Sequence, residues 1–355
     1  MHIPDGYLSP STCAVLYAGA AGGWYAALKR LKRELLSRVI PLISVFAAFS
    51  FVVMMFNLPL PGGTTGHALG VTIAAIVLGP SGAVLALSIA IAIQALFFGD
   101  GGISTLGANC FNMAIVGSLV AYALYRMIAA GAALTSRRRV IAAGVAGYLA
   151  VNAAALVAAI EFGLQPVLFH DAAGAPLYAP YRLGVAIPAM MLGHLTFAGL
   201  AEAAISAGLV AYLQVGDPKL LCRTSGLPRG AAIEAAELRP AATSLRRLWL
   251  AVAALMLFTP VGILAAGTAW GEWSPAQLAH AISLAASARP PVQAVPAGLQ
   301  RLSTLWTAPF PAYAPAFVRS RSFGYLLSAM FGTGILLSLS LMAQRLVKRW
   351  RGATA

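Results

Sequence analysis

Residues 68–98 read ALGVTIAAIVLGPSGAVLALSIAIAIQALFF. Two apolar runs, 68–78 and 83–98, flank Gly79-Pro80-Ser81-Gly82. The first run covers only about 16 Å as a helix at about 1.5 Å per residue. A bilayer core is about 30 Å thick. This piece is therefore a half-helix, or it borrows length from the loop before it. Broken elements at membrane depth are tolerated only when buried in protein or lining a cavity. Either 68–78 reaches the far membrane face, or it pairs with 83–98 as a re-entrant hairpin.

Composition agrees with a membrane setting. The chain has 355 residues, 60% of them hydrophobic and 10% charged, and its mean hydropathy is +0.82. Soluble domains carry about 25% charged residues. The net charge of +14 does not call for nucleic acid, because Lys and Arg gather on the cytoplasmic loops of membrane proteins. Cys13, Cys110 and Cys222 form no CxxC pair and read as small apolar residues.

Outward from 68–98, further spans follow. Residues 11–28 are apolar and run into Lys29, Arg30, Lys32, Arg33 and Arg38. Gly19 and Gly23 give this helix a GxxxG face, which suits close packing within the chain or against a membrane partner. Residues 39–57 cross back and lead to a glycine-rich loop ending in His67. Gly99-Asp100-Gly101-Gly102 precedes a helix that carries Asn109 and Asn112, spaced to share one face. Spans at 140–164 and 183–213 complete a module over 1–213, and the last of them contains His194 and Glu202. Residues 214–247 form a basic linker. A C-terminal module, 248–355, has spans at 248–266 and 323–344 around a proline-rich loop, 267–322, expected to be irregular.

Alternation of about nine spans, seven plus two, defines an all-α polytopic fold. It sorts 19 Lys and Arg to one side and 5 to the other. The basic side is then cytoplasmic and the amino terminus lies outside.

The amino terminus reads Met-His-Ile-Pro-Asp-Gly-Tyr-Leu-Ser-Pro. It lacks the basic start and cleavage site of a signal peptide. The Met1 amine, the His2 amide nitrogen and the His2 ring can close on one ion through short chelate rings. Nearly planar nitrogen sets suit Ni(II) or Cu(II). Pro4-Asp5-Gly6 is a turn that folds the terminus back. The alternative is a frayed surface tail. Topology gathers Met1, His2, His67, Asn109 and Asn112 near the outer face, where His67 can add a fourth nitrogen. Asn109, Asn112 and Asp5 can orient the ligands.

The strings MHIPDGYLSP, GGTTGHALG and GPSGAVLALSIAIAIQALFFGDGGISTLGANCFNMAIVG resemble the CbiM/NikM family over roughly residues 1–213. These are substrate-binding components of energy-coupling-factor transporters for cobalt and nickel. The resemblance implies metal held by Met1, His2 and His67, and uptake across the bacterial plasma membrane. It also implies a transmembrane coupling subunit and ABC-type ATPase subunits as partners, with Gly19 and Gly23 as a candidate coupling face. Segment 246–345, with GTAWGEW, looks like the two-helix small component of such systems, fused on. Cobalt members have SCSHPTG around the loop histidine where this chain has TTGHALG, which leans toward nickel as the carried ion.

The chain has no GxxxxGK[ST] and so no phosphate cradle of its own. A gradient-driven carrier would need intramembrane ionisable groups, for which His194 and Glu202 are the candidates. An intramembrane hydrolase would use a Ser and a His, but no GxSxG elbow is present. A channel is a poor fit, because a tight chelate blocks conduction.

Overall fold

The structure is a computed structural model that describes residues 1–32, 36–60, 64–227, 245–265, 268–286 and 295–352. Much of the basic linker, including Arg229 and Arg239, lies outside the described residues, as do Arg33, Gly267 and Pro290. Among the described residues, six helices are long and apolar enough to cross a membrane: Val71–Phe98, Leu106–Ile128, Arg137–Leu168, Leu183–Gly216, Leu245–Leu264 and Arg321–Leu346. Val39–Met54 is a shorter apolar helix, and Pro10–Lys32 opens the bundle.

The first helix starts where its sequence says it must. Pro10 takes a first-turn position that needs no N–H, and the Ser9 hydroxyl accepts the Thr12 amide at 3.1 Å. The helices at 137–168 and 183–216 then show how a membrane bundle packs. The inward side of the former holds Ala142, Ala146, Ala150, Ala154 and Ala158, all buried. Its outward side holds Leu149, Leu156 and Ile160, which are exposed. Lipid is as apolar as leucine, so large side chains gain nothing by turning inward, while small ones let backbones approach. A Cβ on Gly147 would stand 3.1 Å from the Glu202 carbonyl oxygen.

Segment 71–98 is helical on both sides of a break at Gly79, whose φ of 75° and ψ of 166° are not helical. Pro80 follows and cannot donate the N–H that would continue the ladder. The break reverses the chain. A straight helix over Val71–Phe98 would hold its ends about 42 Å apart, yet His2 meets residues at both flanks. Its ring centroid lies 5.2 Å from that of His67, and its Nδ1 lies 3.2 Å from Asp100. The bend sits at the opposite end of the bundle. There the Thr224 hydroxyl donates to the Ile76 carbonyl. Arg139 also lies at this end, fully buried, donating to the carbonyls of Ala132 at 2.7 Å and Ser225 at 2.9 Å.

Glu202 fixes where this broken element begins. Its carboxylate accepts the amides of Leu69 and Gly70, each at 2.8 Å, and of Thr72 at 3.2 Å. These are the first, otherwise unpaired donors of a helix, and a carboxylate there also meets the positive end of the helix dipole. Glu202 is thus engaged by backbone, a structural task rather than the free group a proton relay requires.

One sequence expectation is corrected. The loop 267–322 is partly helical, at Pro275–Ala286 and Ala297–Leu302. Among the described residues, Pro275, Pro296 and Pro311 stand at helix starts, where a missing N–H costs nothing. The Gly19 and Gly23 face is partly occupied from within the chain, while Gly19 itself stays exposed. A Cβ on Gly19 would meet the Phe111 ring at 3.2 Å, and one on Gly23 would meet Ile115 at 2.4 Å. Gly23 thus packs against the chain's own Ile115, Gly19 keeps an exposed side, and Gly22 has nothing within 4 Å. Gly23→Leu should therefore destabilise the isolated chain by about 1–3 kcal/mol through overpacking, and Gly22→Leu should leave it unchanged. Thermal unfolding of both variants in detergent checks this. Equal melting temperatures would contradict the packing assignment.

Candidate metal centre

Met1, His2 and Ile3 are all buried, so the amino terminus is folded into the protein. The turn at Pro4-Asp5-Gly6 forms with Gly6 at φ 89°, and a Cβ there would press on the Leu299 carbonyl at 2.6 Å. Asn109 clamps the segment. Its Oδ1 accepts the Ile3 amide at 2.8 Å and its Nδ2 donates to the Ile3 carbonyl at 3.1 Å. The Ile3 carbonyl also accepts the Gly102 amide at 2.9 Å and the Thr105 hydroxyl. Asp5 accepts the Ser104 amide at 2.7 Å and the Ile103 amide at 3.2 Å. A Cβ on Gly102 would lie 2.3 Å from the Asp5 nitrogen, so only glycine permits this approach. Asn109 and Asp5 thus tie the amino-terminal backbone to the segment 102–109.

Asn112 does not join them. It donates to Glu161 Oε2 at 2.7 Å instead. The reason is local. Residues Cys110–Val116 form a π-helix, whose i→i+5 bonding widens each turn. Positions three apart, which share a face on an α-helix, no longer do so.

The polar atoms at the centre form a set of nitrogens. Neither ring nitrogen of His2 makes a well-aligned hydrogen bond, although Nδ1 lies 3.2 Å from Asp100 Oδ1. The His67 Nδ1 faces the Ala68 carbonyl at 3.1 Å. If that nitrogen carries the proton, Nε2 keeps a free lone pair, the usual way a backbone carbonyl sets up a histidine ligand. The Met1 amine sits 2.9 Å from Glu272 Oε1. Among the described residues no three His, Cys, Asp or Glu side chains converge on a metal-sized space.

Burial controls the charge of these rings. It lowers His2 to about 4, opposed by nearby Glu272. It lowers His67 to about 3, helped by neighbouring His2. Both imidazoles are neutral at pH 7 and need lose no proton to bind a cation.

Two residues here escaped sequence reading as site members. Asp100 accepts the Tyr313 hydroxyl at 2.6 Å while facing His2. Glu272 comes from the GTAWGEW stretch of the C-terminal module. That module roofs the site. The Tyr7 hydroxyl donates to the Trp273 carbonyl at 2.8 Å, and the Trp270 ring lies 4.8 Å from that of Tyr181. His194 is buried nearby, its Nδ1 2.7 Å from the Met190 carbonyl.

The lowered histidines give a signed prediction for the metal-free chain. Above the ordinary value of about 6.5 both folded and unfolded states are neutral, and these groups add no pH dependence. As pH falls from about 6.5 toward about 4, the unfolded chain takes up protons that the folded chain refuses, so stability falls. At pH 5 the loss is about 2 kcal/mol per histidine. Melting temperatures at pH 7 and pH 5 should differ less for the double variant His2→Gln, His67→Gln than for the native chain. An equal drop in both would show that these rings are not buried neutral.

Comparison with known proteins establishes the family. Residues 2–220 match the CbiM family, described as a cobalt uptake substrate-specific transmembrane region, and residues 246–349 match the PDGLE domain. The fused nickel transport protein NikMN of Rhodobacter capsulatus is 54% identical over 344 residues, 95% of each chain. The probable fused nickel transport protein LarMN of Lactiplantibacillus plantarum is 39% identical, with 96% of each chain covered. A crystal structure of a truncated transition metal transporter superposes with a TM-score of 0.56 at 51% identity, covering 60% of this chain and 98% of that one. The chain belongs to the CbiM family of nickel and cobalt transport proteins, with a PDGLE domain joined at its C-terminal side.

Proposed function

We propose that this chain is the substrate-capture subunit of an ATP-driven uptake transporter for Ni(II), with Co(II) as the alternative ion. The donors are the Met1 amine, the His2 amide and ring, and the His67 ring. The convergence of the buried terminus with His67, ring centroids 5.2 Å apart, carries this reading. The His2 amide donates to no protein acceptor among the described residues, so a strongly binding ion can take the place of its proton. Short chelate rings from amine to amide to Nδ1 give three nitrogens near one plane, and His67 Nε2 completes a tetragonal set. Asp100 and Glu272 supply negative potential beside the dication.

In this account the terminus faces outside, about nine helices span the bacterial plasma membrane, and the bend at Gly79 reaches the cytoplasmic side. A transmembrane coupling subunit and ABC-type ATPases supply the energy. TTGHALG around the loop histidine favours nickel, and the names of the fused relatives point the same way.

One added Gly before Met1 moves the amine away and puts a peptide bond in its place. Nickel affinity should fall by several kcal/mol, where about 1.4 kcal/mol is tenfold. His67→Ala should also abolish tight binding while the helical fold persists by circular dichroism. Calorimetry on the native chain and both variants at one pH checks this, and unchanged affinity in either variant removes its ligand from the set. Uptake by cells should require co-expressed ATPase subunits. Uptake without them would favour a gradient-driven carrier.

A further inference from the structure

Asp100 is held from two sides. Its Oδ1 lies 3.2 Å from His2 Nδ1. Its Oδ2 accepts the Tyr313 hydroxyl at 2.6 Å and the Gln94 side-chain amide at 3.3 Å. The same Gln94 amide donates to the Tyr313 hydroxyl oxygen at 2.9 Å. Gln94 and Asp100 lie at the outer end of the broken element, and Tyr313 belongs to the C-terminal module. The three side chains close a hydrogen-bonded ring beside a proposed metal ligand.

The backbone under Tyr313 is unusual. Ala312 and Tyr313 have φ of 52° and 58°, and every other positive-φ residue among the described residues is a glycine. Left-handed backbone is costly for a residue with a Cβ, and it persists where the surroundings hold it. Here they do. The Tyr313 ring stacks on Phe98 at 4.7 Å and meets Tyr325 edge-on at 5.3 Å. Its carbonyl accepts the Ser328 hydroxyl at 3.0 Å. The outcome is a phenol aimed at Asp100 from the other module.

Asp100 has an alternative position. It lines a cavity of about 520 Å³ that is net negative, with Asp5 and Glu272 against Arg321. Its side chain keeps 18% of its surface exposed, and a carboxylate gains hydration by turning toward water. Without the Tyr313 hydroxyl, only the longer Gln94 contact would hold Oδ2. The attraction of Asp100 for a cation at the His2 ring falls as the two separate.

We infer that Tyr313 is a positioning residue for nickel binding: by holding Asp100 Oδ2 it keeps Oδ1 on the His2 ring, so that the C-terminal module sets the affinity of a centre built mostly from the other module. This inference rests on the nickel-capture function proposed above.

The test uses the full chain in lipid nanodiscs. Tyr313→Phe keeps the stacked ring and removes only the donor. Its nickel affinity should fall about tenfold, and that of Asp100→Asn by a similar factor. The double variant should bind no more weakly than the weaker single one, because the hydroxyl acts through the carboxylate. Tyr325→Phe is the control. It removes a hydroxyl from the same aromatic cluster, one that donates to the Met55 carbonyl at 2.8 Å, and should leave affinity unchanged. In the metal-free chain, nitrogen-15 NMR of the histidine rings should show the His2 signal displaced by Tyr313→Phe and unmoved by Tyr325→Phe. If the native chain binds nickel but Tyr313→Phe binds it equally well, if the two single losses add in full, or if the His2 signal stays in place, the positioning inference fails alone. If the native chain does not bind nickel, the capture function fails and this inference goes with it.

Discussion

An ammonium group withdrawn from water loses several kcal/mol of hydration unless a counter-charge replaces it. Met1 carries such a group inward, and Glu272 meets it at 2.9 Å. The two residues are 271 positions apart, so the contact binds the C-terminal module to the first residue of the chain. The backbone behind the amine is equally constrained. Asn109 pairs with both polar groups of Ile3, and Asp5 gathers the amides at 103 and 104. With the peptide held on both sides, the His2 ring lies against that of His67. In the proposed function the donors are therefore ordered before an ion arrives, which leaves little ordering to oppose binding.

The same logic runs through the bundle. The chain at 67–70 enters the protein without regular structure, which a bilayer core tolerates only if each amide finds a partner. Glu202 supplies partners for two of them, Leu69 and Gly70, and for Thr72 just beyond. That carboxylate sits on a helix whose neighbour packs through alanines, leaving its leucines to the lipid. The bend at Gly79 then returns the chain to Asp100 beside the site. One broken element therefore delivers a residue to the centre from each of its ends.

Much of this was legible in the sequence because single residues force it. Gly6 and the preceding Pro-Asp announce a turn, and Gly79-Pro80 announces a break. His67 stands out because loop glycines and the sorting of Lys and Arg put it on the same side as the terminus. Other features depend on contacts that no local pattern reveals. Glu272 looks like an ordinary polar loop residue until the chain closes over Met1. Asn112 has the right spacing for an α-helix, but the turn it occupies is a π-helix. Gly19 and Gly23 do mark a packing face, yet spacing alone does not name Phe111 and Ile115 as what fills it. Helical structure within 267–322 was obscured by prolines, of which Pro275, Pro296 and Pro311 mark helix starts.

The central claim is that the ion is held by nitrogens of the folded terminus together with His67. X-ray absorption at the nickel edge of the loaded, purified chain tests it most directly. A near-planar shell of four nitrogens is expected, with the pre-edge feature of square-planar Ni(II) and imidazole scattering beyond the first shell. That feature should vanish when one residue is added before Met1. A six-coordinate, oxygen-rich shell in the native chain, or a spectrum indifferent to the added residue, would contradict the account.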